Sequence, residues 1–138
     1  MIKNIIRNIQ ILLQTPLYVL AIDLFGAIAT SLATTFLLAS GRMPTGLPTW
    51  LLYSSALVAL GFACFDVAAI FQFLDARIAL ATIASLNLSY CLAVLVVVSV
   101  YRQDITQFCL FYFCIELAIV IPLAWWELAI LKKPFASP

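Results

Sequence analysis

Residues 78–101 read IALATIASLNLSYCLAVLVVVSVY, without a single charged side chain. Coiled as a helix at ~1.5 Å per residue, that stretch covers the ~30 Å hydrocarbon core of a bilayer, so it reads as a membrane span. Working outward, three further stretches of the same character occupy 16–39, 49–73 and 105–131. Between them, Gly41-Arg42-Met43-Pro44-Thr45-Gly46-Leu47-Pro48 is a turn-rich loop, whereas Leu74-Asp75-Ala76-Arg77 and Arg102-Gln103-Asp104 are tight turns. Short turns make neighbouring helices antiparallel. The alternating ten-residue strands that a membrane barrel needs are absent from the sequence. The composition agrees: 66% of residues are hydrophobic, 9% are charged and the mean hydropathy is +1.17, where soluble domains carry about 25% charged residues.

The expected fold class is therefore all-α, a polytopic membrane protein with an antiparallel four-helix transmembrane bundle over 15–131. An amphipathic helix is expected over 1–14, because Ile2, Ile5, Ile6, Ile9, Leu12 and Leu13 share one face and Lys3, Asn4, Arg7, Asn8, Gln10 and Gln14 the other. Such a helix lies in the bilayer interface, and its polar residues also argue against a cleaved signal peptide. Residues 132–138 read as a cytoplasmic tail. Lys3, Arg7, Arg77, Lys132 and Lys133 fall on one side of this arrangement and Arg42 and Arg102 on the other. The richer side faces the cytoplasm, which puts both termini inside and makes a bacterial inner membrane the expected location. Trp125 and Trp126 then lie near the inner interface and Trp50 near the outer one.

Several function classes drop out. A net charge of +1 gives no basic field for nucleic acid. With no histidine, imidazole-ligated haem, His-containing zinc sites and histidine general bases are all excluded. No G-x-S-x-G, P-loop or H-E-x-x-H motif occurs, so the reading leans away from an enzyme, and no cofactor or metal is implied. Cys64, Cys91, Cys109 and Cys114 all sit inside apolar runs and read as small hydrophobes, not as a disulfide framework.

The informative residues are the polar ones inside the spans, where an ionisable side chain costs several kcal/mol unless paired, hydrated or neutralised. Asp23 and Asp66 lie at matching depth on spans one and two, Asn87 slightly deeper on span three, and Tyr90 and Glu116 near the middle. Phase points them inward. Asp23, Gly26, Thr30 and Thr34 form one small or polar stripe, and Ser55, Ala59, Ala63 and Asp66 form another. On span four, Cys109, Tyr112, Glu116, Leu123 and Glu127 share a face, although Pro122 should kink the helix and weaken the register between the glutamates. Asp75 and Asp104 read as helix caps, Asp104 with Gln107 three residues on. Glu127, beside Trp126 and Lys132, is expected to be solvated at the inner edge. Span three carries a second small face, Ala81, Ser85 and Ser89, suited to a homodimer, to a partner subunit or to tight packing within one protomer.

The proposed polar-core site is thus Asp23, Asp66, Asn87, Tyr90 and Glu116, supported by Thr30, Tyr112 and Glu127. Carboxylates close together in low dielectric cannot all carry charge, a property suited to taking up a proton or cation. The competing reading is that the same groups only fix helix order through hydrogen bonds.

Asp23-Leu-Phe-Gly26, Asp66, Asn87-Leu-Ser-Tyr90-Cys91 and Tyr112-Phe-Cys-Ile-Glu116 resemble the pattern of a group of small four-span bacterial inner-membrane proteins over roughly 16–131. That resemblance implies architecture and location, and no activity. The architecture is also similar to that of small multidrug-resistance transporters, which pair four-span protomers around a first-span glutamate. Here the first-span acid is Asp23, nearer the edge, and further acids occupy spans two and four. Three functions stay open at this point: a proton- or cation-coupled carrier for a small solute, a non-catalytic accessory or assembly subunit of a larger membrane complex, and a membrane enzyme or quinone or lipid binder using the same carboxylates.

Overall fold

Four helices dominate a computed structural model of the protein, which describes residues 16–71 and 73–132. The amphipathic helix expected over 1–14 and the tail from 133 onward lie outside the described residues. Among these residues there is no strand, and all four helices are long and apolar enough to cross a membrane. We label them α1 (Pro16–Ala33, continued by a π-helical segment, Thr34–Ala39), α2 (Thr49–Ile70), α3 (Ala76–Val100) and α4 (Gln107–Leu131).

The helix starts follow local chemistry. Pro16 opens α1, where its missing N–H and fixed φ cost nothing. Asp75 caps α3 as expected, its carboxylate accepting from the backbone N–H of Arg77 (2.9 Å) and Ile78 (3.1 Å). The cap of α4 differs from expectation. Thr106, not Asp104, accepts from the Cys109 N–H at 3.3 Å, while its own hydroxyl donates to the Pro44 carbonyl at 2.7 Å and its N–H to the Thr45 carbonyl at 3.0 Å. The tie to the 40–48 loop selects Thr106, and Asp104 is left in the preceding turn. There the carbonyl of Asp104 packs against Gly46, whose φ of +73° and lack of Cβ permit the approach.

α1 packs along α2, with the Ser31 hydroxyl donating to the Ala56 carbonyl at 3.0 Å, and α3 packs along α4. Contact between these two helix pairs is sparser. At one end of the bundle the loops 40–48 and 101–106 are joined through Thr106; at the other, the Arg77 guanidinium donates to the Leu131 carbonyl at 3.3 Å. Apolar side chains fill both ends of the interior. One plug is built from Val19, Leu20, Ala69, Leu80, Ile83 and Ile130, and the other from Leu38, Leu52, Val94, Cys109 and Phe113.

The outer surface is apolar on every helix, with Phe25 76%, Leu57 68%, Leu92 64% and Trp125 71% exposed. Aromatic and aliphatic side chains on all sides are what a hydrocarbon solvent favours and water does not. Both expected stripes face inward: Asp23 and Thr34 are buried on α1, and Ala59, Ala63 and Asp66 on α2. Pro122 lies on the exposed side of α4, the helix runs on past it to Leu131, and Glu116 and Glu127 are both buried.

Candidate functional site: a buried carboxyl layer and a polar groove

One helical turn in from the first apolar plug, each helix contributes one polar side chain to a common layer. Asp23 follows Leu20 on α1, Asp66 precedes Ala69 on α2, Asn87 follows Ile83 on α3 and Glu127 precedes Ile130 on α4. All four are buried, Asp66 and Glu127 completely. The Asn87 amide donates to Asp23 Oδ1 at 2.9 Å and to Glu127 Oε2 at 3.4 Å, and the Asp66 carboxyl lies against that of Asp23. This corrects the expectation for Glu127. It lies three turns along α4 from Glu116 on the same inward stripe, and that phase, not its nearness to the helix end, decides its surroundings.

A second polar group stands further along the bundle. The Tyr90 hydroxyl donates to Glu116 Oε1 at 3.1 Å, and the Thr30 side chain faces the same carboxyl. One turn beyond, the hydroxyls of Thr34 and Tyr112 share a hydrogen bond of 3.0 Å. Thr34 begins the π-helical segment of α1, a geometry that often marks functional positions in helices. The sequence carried one faint sign of it, the β-branched pair Thr34-Thr35. The site expected as one cluster is therefore two: Asp23, Asp66 and Asn87 with Glu127, and Tyr90 and Glu116 with Thr30, followed by Tyr112 and Thr34.

Donors are short in the first, and one carboxyl oxygen stays unpaired in the second. Among the described residues, both oxygens of Asp66, Oδ2 of Asp23, Oε1 of Glu127 and Oε2 of Glu116 are buried without a hydrogen-bond partner. An unpaired buried carboxylate oxygen costs the full desolvation of the group, so three carboxyls around one amide cannot all carry charge. No group of His, Cys, Asp and Glu arranged to hold a metal ion occurs among the described residues.

Beside these groups runs a groove of about 410 Å³ between α1 and α4. Asp23, Thr30, Asn87, Tyr90, Tyr112 and Glu116 line its polar edge and link the two clusters, while Phe25, Ile119 and Leu123 are among its apolar walls. A hollow of about 400 Å³ on the opposite seam, between α2 and α3, contains no carboxylate. The second small face of α3 points outward, and the hydroxyls of Ser85 and Ser89 bond to carbonyls of their own helix at 2.9 and 2.8 Å. Comparison with protein-family models, with curated proteins and with solved structures finds no match to the chain.

Proposed function

We propose that this protein is a membrane carrier that couples proton movement to the passage of a small solute. Asp23, Asp66, Glu127 and Glu116 serve as the protonation groups, and Asn87 and Tyr90 orient them. The observation that carries the reading is Asp66, a wholly buried carboxyl with no donor on either oxygen among the described residues, set against Asp23 in a layer with one amide. A layer built only for stability would match each carboxyl with a donor, since a half-satisfied polar network is worse than an apolar core. An exchangeable proton supplies what the side chains do not. The groove beside the layer offers a place for a solute whose binding alters that proton's environment.

The accompanying topology is an antiparallel up-down-up-down bundle. It is supported by the joining of the loops 40–48 and 101–106 at one end and of Arg77 with Leu131 at the other. In the sequence Lys3 and Arg7 precede α1 and Lys133 follows α4, so that with Arg77 and Lys132 five cations flank one set of helix ends against Arg42 and Arg102 at the other, which supports a cytoplasmic location for both termini in a bacterial inner membrane. A four-span protomer is small for alternating access, so the working unit is a homodimer.

Infrared titration of the purified protein in lipid between about pH 5 and pH 9 tests the reading. Protonated-carboxyl bands that titrate, and that vanish individually in Asp23→Asn, Asp66→Asn, Glu116→Gln and Glu127→Gln, support it. In vesicles loaded with a pH-sensitive dye, the same substitutions should lower solute-driven proton movement at least tenfold. Bands that stay fixed across the range would overturn the carrier and leave the accessory-subunit reading, in which the acids only hold the helices together.

A further inference from the structure

The groove between α1 and α4 opens toward lipid. Phe25, Ile115 and Ile119 stand along it and are exposed. Gly26 and Ala29 hollow its α1 wall, and a Cβ added at Gly26 would meet nothing within 4 Å. Its volume of about 410 Å³ lies within the ~300–1,000 Å³ usual for small-molecule sites.

Two side chains on its polar edge, Glu116 and Asp23, carry unpaired carboxylate oxygens that lie buried just behind the groove wall. Glu116 and Asp23 are 6% and 5% exposed, and Glu116 Oε2 and Asp23 Oδ2 have no hydrogen-bond partner among the described residues. The Tyr90 hydroxyl is already committed to Glu116 Oε1. A ligand whose N–H or O–H donors displace the side chains covering these oxygens completes them. A head group with acceptors alone, or with a positive charge but no donor, leaves them unpaired. The apolar remainder of the wall demands an apolar body and admits it sideways from the bilayer. The hollow between α2 and α3 has no unpaired carboxylate on its wall and lacks this selectivity.

We infer that the α1–α4 groove binds a bilayer-dissolved amphiphile whose polar head carries N–H or O–H donors. Naming that amphiphile as the transported solute rests on the carrier reading, whereas its binding does not.

The test uses the full-length protein in lipid nanodiscs and equilibrium binding of radiolabelled dodecylamine, with empty discs subtracted. Dodecanol, dodecyltrimethylammonium and dodecanoate compete at equal chain length. Saturable binding is expected, with dodecanol competing and the trimethylammonium and carboxylate compounds at least tenfold weaker, the scale of one hydrogen bond to a charged group. Gly26→Leu, which fills the groove in a helix that accepts leucine readily, and Glu116→Gln should each weaken dodecylamine binding at least tenfold. Ser89→Leu, on the opposite seam, should not change it. Competition that depends on chain length and ignores the head, equal competition by the trimethylammonium compound, or unchanged binding in Gly26→Leu or Glu116→Gln would overturn the inference. Proton movement measured on the same variants in dye-loaded vesicles separates the two claims: intact binding without proton coupling overturns the carrier and leaves the site, and coupling without binding overturns the site alone.

Discussion

Asn87 presents its amide to two carboxyls at once, Asp23 and Glu127, and it sits in a layer where Asp66 receives no donor among the described residues. The two residues should therefore respond oppositely to substitution. Asn87→Leu keeps the branching and heavy-atom count of the side chain and removes the donor, and should lower unfolding stability by about 1–3 kcal/mol, the cost of stranding buried acceptors. Asp66→Asn adds an N–H facing Asp23 and should hold the thermal midpoint or raise it while abolishing proton coupling, as happens where function keeps a site away from its stability optimum. Thermal unfolding in detergent alongside the vesicle assay checks both, and a fall in midpoint for Asp66→Asn would count against the layer's being short of donors. At this scale the sequence was legible wherever solvent makes a residue expensive. An acid or amide in hydrocarbon stands out, and Asp23, Asp66, Asn87 and Glu116 are all buried as their phase required. Glu127 was misread because depth was weighed above phase: a position near the helix end and beside Trp126 suggested water, yet neighbouring helices cover it.

Among the elements, the starts and ends of helices were the less legible part. Span two ends at Ile70, three residues early, and α4 begins at Gln107 because Thr106 answers to a loop remote in sequence. Local capping rules cannot anticipate a tertiary partner. The π-helical segment of α1 left no more than the faint sign of Thr34-Thr35, since hydropathy has the same pattern whether a turn holds a residue more or less. The loops offer a paired measurement. Gly41 and Gly46 have nearly the same φ, +74° and +73°, but a Cβ at Gly41 meets open space and one at Gly46 overlaps the Asp104 carbonyl. Gly41→Ala should cost only the backbone strain, about 1–2 kcal/mol, and Gly46→Ala distinctly more. Equal losses in denaturant unfolding would mean that the loop contact contributes nothing.

For the whole molecule, class and span number followed from composition and run length, because a chain with this much apolar surface and so few charges has only one solvent that suits it. Arrangement was harder to read, since the α1–α4 seam with its groove depends on which small residues meet which, and hydropathy does not encode that. Orientation is open to direct measurement. In a cysteine-free background, a membrane-impermeant maleimide added to spheroplasts should label Arg42→Cys and Gln103→Cys, and should reach Lys132→Cys only after lysis. The reverse pattern would invert the orientation and place the carboxyl layer toward the outside.

Thr106 and Gly46 sew the two helix pairs together at the loop end, whereas the carboxyl layer and the Leu20–Ile83 plug lie toward the other. Joined this way, the pairs have the geometry of tongs. Rotation about the stitched end moves the loops little, and over roughly 35 Å of helix, at ~1.5 Å per residue, it parts the jaws by a distance that grows with every turn. A small swing that left Thr106 bonded to Pro44 would be largest at the Leu20–Ile83 plug, and water admitted there would meet the layer of Asp23, Asp66, Asn87 and Glu127 before anything else polar.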